Sequence, residues 1–270
     1  MDQQVENKRF SVIVAAYNVE DYIERALKSV VNQTLKNIEI IVINDCATDS
    51  TEEKILKFYN EYDNIVYIKH EKNKRLGAAR NTGLSVAKGE YIIFLDGDDY
   101  LAEDNVLERI DKLIGKDEID VTYLGFKIEG DREELVLPTE EICTKTYKAA
   151  KDKYPNVWSK CWRRKYLEDL DLKFPEYRLY EDVLFNYKGI MKAKSFRVAE
   201  FVVHRYISGR KGSITTKIGV KNLEDTVENL KDLIKIRETD YTEEVDIIIK
   251  KELNMCKKRV DDMYKCMYNE

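Results

Sequence analysis

Three aspartates, Asp96, Asp98 and Asp99, stand within four positions, with only Gly97 separating the first from the second. Carboxylates this close repel one another, so a fold that gathers them needs compensating positive charge. A hard divalent cation held through oxygen ligands supplies it. Asp and Gly also make an ordinary solvated acidic turn. Context favours the chemistry. The run Tyr91-Ile-Ile-Phe-Leu95 just before the cluster has the length and residue types of one buried strand. In open α/β sheets, ligands gather at the carboxyl ends of strands, where this cluster falls.

The elements that must position the aspartates are legible upstream. Phe10 to Ala16 is a continuous apolar stretch suited to a central parallel strand, and Ile38 to Ile43 is a second. Ile65 to Ile68 is a short third. A helix lies between the first two, with Tyr22, Ile23, Ala26, Leu27, Val30 and Val31 on one face. Ser50 and Glu53 read as a capping box that starts the next helix. Leu76 to Leu84 is rich in small residues and predicts a tightly packed helix before the Tyr91 strand. This alternation implies a parallel sheet covered on both faces. Tyr17, Asp45 and Asp96 each end a strand, so all three should face one rim. An aromatic ring with a carboxylate can hold a nucleobase, and the second carboxylate cluster, with metal, can hold phosphates. The constellation points to a nucleoside-diphosphate pocket, although neither a Gly-x-Gly-x-x-Gly nor a P-loop is present.

Composition narrows the alternatives. The 270 residues carry 46 Lys and Arg against 51 Asp and Glu, a net charge of -5 that excludes a general nucleic-acid binder. No stretch approaches the roughly 18 apolar residues of a membrane span, and Met1 to Arg9 is polar, so a cytoplasmic protein, at most resting on the inner membrane surface, is the expectation. The five cysteines are scattered without a Cys-x-x-Cys pair, and His70 and His204 are the only histidines. Chemistry must come mainly from carboxylates.

Four segments, Ser11-Val-Ile-Val-Ala-Ala-Tyr-Asn18, Ile43-Asn-Asp-Cys-Ala-Thr-Asp49, Gly77-Ala-Ala-Arg-Asn-Thr-Gly83 and Phe94-Leu-Asp-Gly-Asp-Asp-Tyr100, resemble the family 2 glycosyltransferases in kind, order and spacing. The resemblance covers roughly Phe10 to Thr215. It implies an α/β GT-A fold with a mostly parallel central sheet, and transfer of a sugar from a nucleotide-linked donor, usually UDP-linked. It also implies a donor half to about residue 101, an acceptor half to about 218, and a helical C-terminal appendage over 219–270. By that likeness Tyr17 and Asp45 contact uracil, with Asp49 nearby, Ala15 lines the donor site and Arg80 helps to place the donor. Asp96 lies by the ribose, Asp98 ligates Mn²⁺ or Mg²⁺ and Asp99 sits near the donor sugar. The chain departs from the pattern at Ala15, where Pro is frequent, at Cys46-Ala47, where Gly-Ser is frequent, and at Arg75, where Gly is common.

Further on, Trp158-Ser-Lys-Cys-Trp-Arg-Arg-Lys-Tyr166 and Tyr180-Glu-Asp-Val183 resemble the family's acceptor half. Inverting transfer needs a carboxylate opposite the leaving group to take the acceptor hydroxyl's proton. Asp182 is the candidate base, with Glu181 supporting it. Their plainer alternative is a helix N-terminus enriched in acids. His204 is a candidate completing ligand for the metal, and Arg210 with Lys211 a candidate contact to the diphosphate. Asp104 to Leu113 predicts a helix, Asp120 to Ile128 a strand, and Glu129 to Pro138 a hairpin or loop. Beyond Val220 two amphipathic helices are expected. One carries Val220, Leu223, Val227, Leu230 and Ile234. The other carries Val245, Ile248, Ile249, Leu253, Cys256, Val260, Met263 and Met267. They could pack on the catalytic domain, form a homodimer or rest on a membrane beside a glycan or lipid-linked acceptor. The rival readings are a sugar nucleotidyltransferase, which would usually carry a Gly-rich loop after the first strand, and a non-catalytic nucleotide- or glycan-binding partner.

Overall fold

The computed structural model describes residues 8–139, 156–210, 219–239 and 243–268. Its first part alternates as the hydrophobic pattern requires: β1 (Phe10–Ala16), α1 (Ile23–Val31), β2 (Ile38–Asn44), α2 (Thr51–Glu61), β3 (Ile65–Lys69), α3 (Arg75–Val86) and β4 (Tyr91–Asp96). Every residue of β1 and β2 is buried, because successive side chains enter cores on opposite faces of the sheet. Phe10, Val12, Val14 and Ala16 meet Ile23, Leu27 and Val30 of α1 on one face. Ile13 and Ala15 join Ala79, Phe94 and Trp162 on the other. The small residues of α3 let it lie close: a Cβ on Gly83 would come within 2.4 Å of Ile13 Cγ2.

The chain continues with β5 (Tyr100–Leu101), α4 (Val106–Ile114), β6 (Val121–Gly130), β7 (Glu134–Val136), β8 (Lys160–Arg163), α5 (Arg164–Asp169), α6 (Glu181–Lys192) and β9 (Phe196–Ser208). One sheet runs through both halves in the order β3-β2-β1-β4-β8-β6-β9-β5, with β7 on β6. The four strands β3, β2, β1 and β4 are parallel neighbours. The parallel character then gives way: β8 runs antiparallel to both β4 and β6, β9 runs parallel to β6, and β7 closes the expected hairpin.

Two long helices follow, α7 (Val220–Thr239) and α8 (Glu243–Tyr268). Leu233 and Ile248 pack with Val183, Leu184 and Tyr187 of α6. Of the expected stripe on α7, only Leu230 is buried among the larger apolar residues up to Ile234 besides Leu233, while Val220, Val227 and Ile234 stay exposed. The face turned inward carries Asn222, Asp225, Thr226 and Asn229 together with Leu230 and Leu233. No helix among the described residues is long and apolar enough to cross a membrane.

Candidate active site

The strand register brings the predicted rim together. Ala15 pairs with Asp96 and Ala16 with Asn44, so Tyr17, Asp45 and Asp96 follow at the same edge. Ala15 buries its methyl in the core and contributes its carbonyl, which accepts the Gly97 N–H at 2.9 Å. Tyr17 is 44% exposed, an open ring face on the rim. Asp45 is buried and engaged: its Oδ1 lies 2.6 Å from His70 Nδ1 and accepts the Lys74 N–H at 2.8 Å. His70 Nε2 is in turn 2.9 Å from Thr82 Oγ1.

Asp49 ties two loops. It accepts the Glu20 N–H at 3.2 Å through one oxygen and the Thr51 N–H at 3.0 Å through the other. Burial pushes the pKa of this carboxyl up, but the hydrogen bonds from Thr51 and Glu20 outweigh it and hold the group below its ordinary value. The expected capping box does not form. Ser50 makes no side-chain cap bond, its N–H is taken by Glu20 Oε2 at 2.9 Å, and Asp49 caps the first turn from one position earlier. Cys46 and Arg75, two positions where the family pattern favours Gly, both have left-handed backbones, φ 63° and 71°.

Arg80 sits at the centre. It is 2% exposed, donates from Nη1 to Glu181 Oε1 at 2.7 Å and from Nη2 to Asp96 Oδ1 at 2.8 Å, and lies beside the Phe94 and Phe174 rings. It therefore joins the end of β4 to the first turn of α6. Asp98 pairs with Arg210, while burial, opposed by Arg210, raises its carboxyl above the usual range. Asp99 is fully buried. Its Oδ1 accepts the Ile207 N–H at 2.8 Å and its Oδ2 lies 3.0 Å from His204 Nε2. Burial, then Asp98 and Asp96, push Asp99 well up, and burial lowers His204 to about 4. The His204 ring stacks on Trp158 at 4.5 Å, and its Nδ1 has no partner among the described residues. Lys211 lies outside the described residues.

The donor set near Asp98 suits a hard cation, and the Arg210 guanidinium already stands there as a positive charge. Among the described residues no three His, Cys, Asp or Glu side chains converge into a complete cage. A metal held by one or two carboxylates and completed by substrate phosphates, the habit of Mg²⁺, does not require such a cage.

Glu181 and Asp182 open α6, after Tyr180 at φ 59°. Burial, with Asp182 adding to it against Arg80, raises Glu181 to about 7. Asp182 is half-buried and is raised to about 6, by burial and Asp96, against the pull of Arg80 and Lys160. Among the described residues no side chain bonds or pairs with the Asp182 carboxyl, whereas Glu181 is held by Arg80. Two neighbours escaped the sequence reading. His70 follows β3 as Asp45 follows β2, so the rim rule could have found it, since its N–H meets the Asn44 carbonyl at 2.9 Å. Lys160, buried with Nζ 2.7 Å from the Asn156 carbonyl, stood within the Trp158–Tyr166 segment that resembles the acceptor half, but with no role of its own.

The model of glycosyl transferase family 2 matches residues 11–173. An uncharacterised glycosyltransferase of Bacillus subtilis, EpsJ, is 34% identical over 208 residues, covering 73% of this chain and 60% of that protein. The Escherichia coli UDP-Glc:alpha-D-GlcNAc-diphosphoundecaprenol beta-1,3-glucosyltransferase WfaP is 39% identical over 121 residues, 45% of this chain and 47% of WfaP. The crystal structure of Staphylococcus aureus TarS 1–349 in complex with UDP-GlcNAc superimposes with a TM-score of 0.73 at 27% identity, over 91% of this chain and 72% of the TarS chain. This chain thus spans about three-fifths of EpsJ and under half of WfaP. With the family model over more than half its length and the same fold around the rim of aspartates, the chain belongs to glycosyl transferase family 2.

Proposed function

We propose that this chain transfers a hexose or N-acetylhexosamine from a UDP-sugar to a hydroxyl of a glycan or lipid-linked acceptor, with inversion at the anomeric carbon. One observation carries the reading: an unconsumed carboxyl, Asp182, is raised to about 6 beside the Arg80 bridge that ends at the donor-side Asp96. A base with that value is largely ionised at neutral pH yet still basic enough to accept a hydroxyl proton as oxygen attacks. Tyr17 offers its exposed ring to the uracil, with the Asp45–His70 pair fixing the floor beside it. Asp98 is the residue that would hold Mn²⁺ or Mg²⁺. When bound, that ion neutralises charge developing on the departing diphosphate. Arg210 is placed to offer a second positive charge to the same diphosphate once it leaves Asp98. Glu181, neutralised in part by Arg80, supports Asp182 and keeps the two carboxyls from repelling at full strength. WfaP and TarS, named or crystallised with UDP-sugars, favour UDP as the nucleotide.

The test is calorimetric titration of UDP, GDP, CDP and ATP, each with Mn²⁺ and with EDTA, on the wild type and on Asp98→Ala. Binding of UDP that needs the metal and is lost in Asp98→Ala is the expected outcome, followed by release of sugar from a UDP-sugar. Tight binding of another diphosphate overturns the UDP assignment, and no nucleotide binding overturns the enzyme reading.

A further inference from the structure

The inward face of α7 sets four polar residues beside Leu230 and Leu233, a large polar share for a helix packed on a domain. Asn222, Asp225, Thr226 and Asn229 are each at most 5% exposed, while Val220, Val227 and Ile234 look outward. Buried polar groups are costly unless bonded, and Asn222, Asp225 and Asn229 find partners together in one short segment. Asp225 Oδ2 accepts the Leu179 N–H at 3.0 Å. Asn229 Nδ2 donates to the Leu179 carbonyl at 3.3 Å and to the Tyr180 carbonyl at 3.1 Å. Asn222 Nδ2 donates to Tyr180 Oη at 3.0 Å, Arg178 pairs with Asp232 at 2.6 Å, and the Arg259 guanidinium covers the Tyr180 ring at 3.7 Å.

The held segment is strained. Tyr177 and Tyr180 both have φ 59°, a left-handed conformation that costs a non-glycine residue about 1–2 kcal/mol. It persists where surrounding contacts over-determine it. The next residues are Glu181 and Asp182. Asp225 also lies 3.5 Å from Arg75, itself left-handed at φ 71° and the first residue of α3, the helix that carries Arg80. One buried carboxylate thus touches the starts of both helices that meet in the Arg80–Glu181 bridge.

We propose that α7 is a clamp on the catalytic carboxylates, with Asp225 and Asn229 as positioning residues that fix Leu179–Tyr180 and so set Asp182 against the acceptor. The inference rests on the transfer reading above. Asp225 and Asn229 touch no substrate in this role. They act on turnover and leave the nucleotide pocket alone.

The experiment compares Asp225→Ala, Asp225→Asn and Asn229→Ala with the wild type and with the exposed control Val227→Ala. An asparagine at 225 keeps an oxygen to accept the Leu179 N–H, and alanine does not. The expected result is a 10- to 100-fold lower kcat in Asp225→Ala and Asn229→Ala, of the order a misplaced catalytic group costs. UDP affinity and KM for the donor should stay within about threefold, and Asp225→Asn should recover most of kcat. Amide hydrogen exchange over 177–183 should quicken in both alanine variants and stay slow in β1 to β4. Unchanged kcat with unchanged exchange overturns the clamp, and so does an equal loss of UDP affinity and turnover, which would mark general damage. If Asp225→Ala fails to fold, Asn229→Ala decides by the same readouts. A wild type that binds no UDP overturns the transfer reading, and the exchange of 177–183 then judges the clamp by itself.

Discussion

Arg80→Met tests the centre of the site. Methionine keeps the length of the side chain and its contacts with the Phe94 and Phe174 rings, and removes the charge that spans Asp96 and Glu181 at 2.8 and 2.7 Å. Arg80 is 2% exposed, so water cannot replace it. Removing one partner of a buried ion pair costs about 3–5 kcal/mol, because the other charge is left uncompensated. That cost depends on pH. Glu181 rises from an ordinary 4.5 to about 7 in the folded protein, so the folded state binds the proton more tightly than the unfolded chain. Stability from this group is therefore full below about 4.5 and falls as pH climbs through the folded value. Without the downward pull of Arg80 that value climbs further, and the fall continues to higher pH. At pH 5.5 Glu181 is mostly neutral in both proteins, and the deficit should shrink to the lost hydrogen bonds and the lost partner of Asp96, about 1–3 kcal/mol. At pH 8.5 it should reach about 3–5 kcal/mol. Urea denaturation at the two pH values, with the slopes checked for equality, measures both. A deficit below about 1 kcal/mol at pH 8.5, or the same deficit at both, refutes the bridge as a buried and uncompensated charge centre.

Four other outcomes follow from the same geometry. Asp182→Asn should keep metal-dependent UDP binding within about twofold and lose transfer by about 10² to 10⁴. In the wild type, transfer should rise with pH through an apparent value near 6, since the base works ionised and the value belongs to the Glu181–Asp182 pair. A rate independent of pH from 5 to 8 would count against it. Gly77→Ala places a Cβ 2.3 Å from the Pro175 carbonyl and 3.2 Å from Glu181 Cγ. It should destabilise the fold by about 1–3 kcal/mol and depress kcat, and a thermal melt matching wild type would contradict the close approach. Tyr17→Ala, at a 44% exposed ring, should weaken UDP binding by about 1–2 kcal/mol of stacking while leaving the melting temperature unmoved. Unaltered UDP affinity would remove Tyr17 from the pocket.

The donor half was readable because its rules are local and periodic. Continuous apolar runs can only be strands buried on both faces, and parallel strands of equal length end at one rim. That is enough to gather Tyr17, Asp45 and Asp96, and the same rule reaches His70 once β3 is set beside β2. Family likeness flagged Cys46 and Arg75 as departures from Gly, and the backbone shows why Gly is favoured there: both residues adopt positive φ. Arg80 could be picked out from the sequence as a candidate but not as a bridge, because its second partner lies 101 positions away on α6.

The acceptor half and the C-terminal helices were less readable because their partners are distant and polar. Periodicity placed an apolar stripe on α7 and left open whether it packs on the domain, dimerises or meets a membrane. The helix buries Leu230 and Leu233 but leaves Val220, Val227 and Ile234 outside, because Asp225 and Asn229 satisfy backbone groups of Leu179 and Tyr180 that no helix or strand ladder supplies. An exposed valine loses little, since isolated apolar residues are common on surfaces, whereas an orphaned buried N–H costs about 1–3 kcal/mol. Summed over the bonds to Leu179 and Tyr180, the polar face outweighs the exposure of Val220, Val227 and Ile234. The orientation of α7 is thus set by the unusual backbone just before Glu181. The same bonds that defeat the hydrophobic pattern are the ones that hold the carboxylates in place.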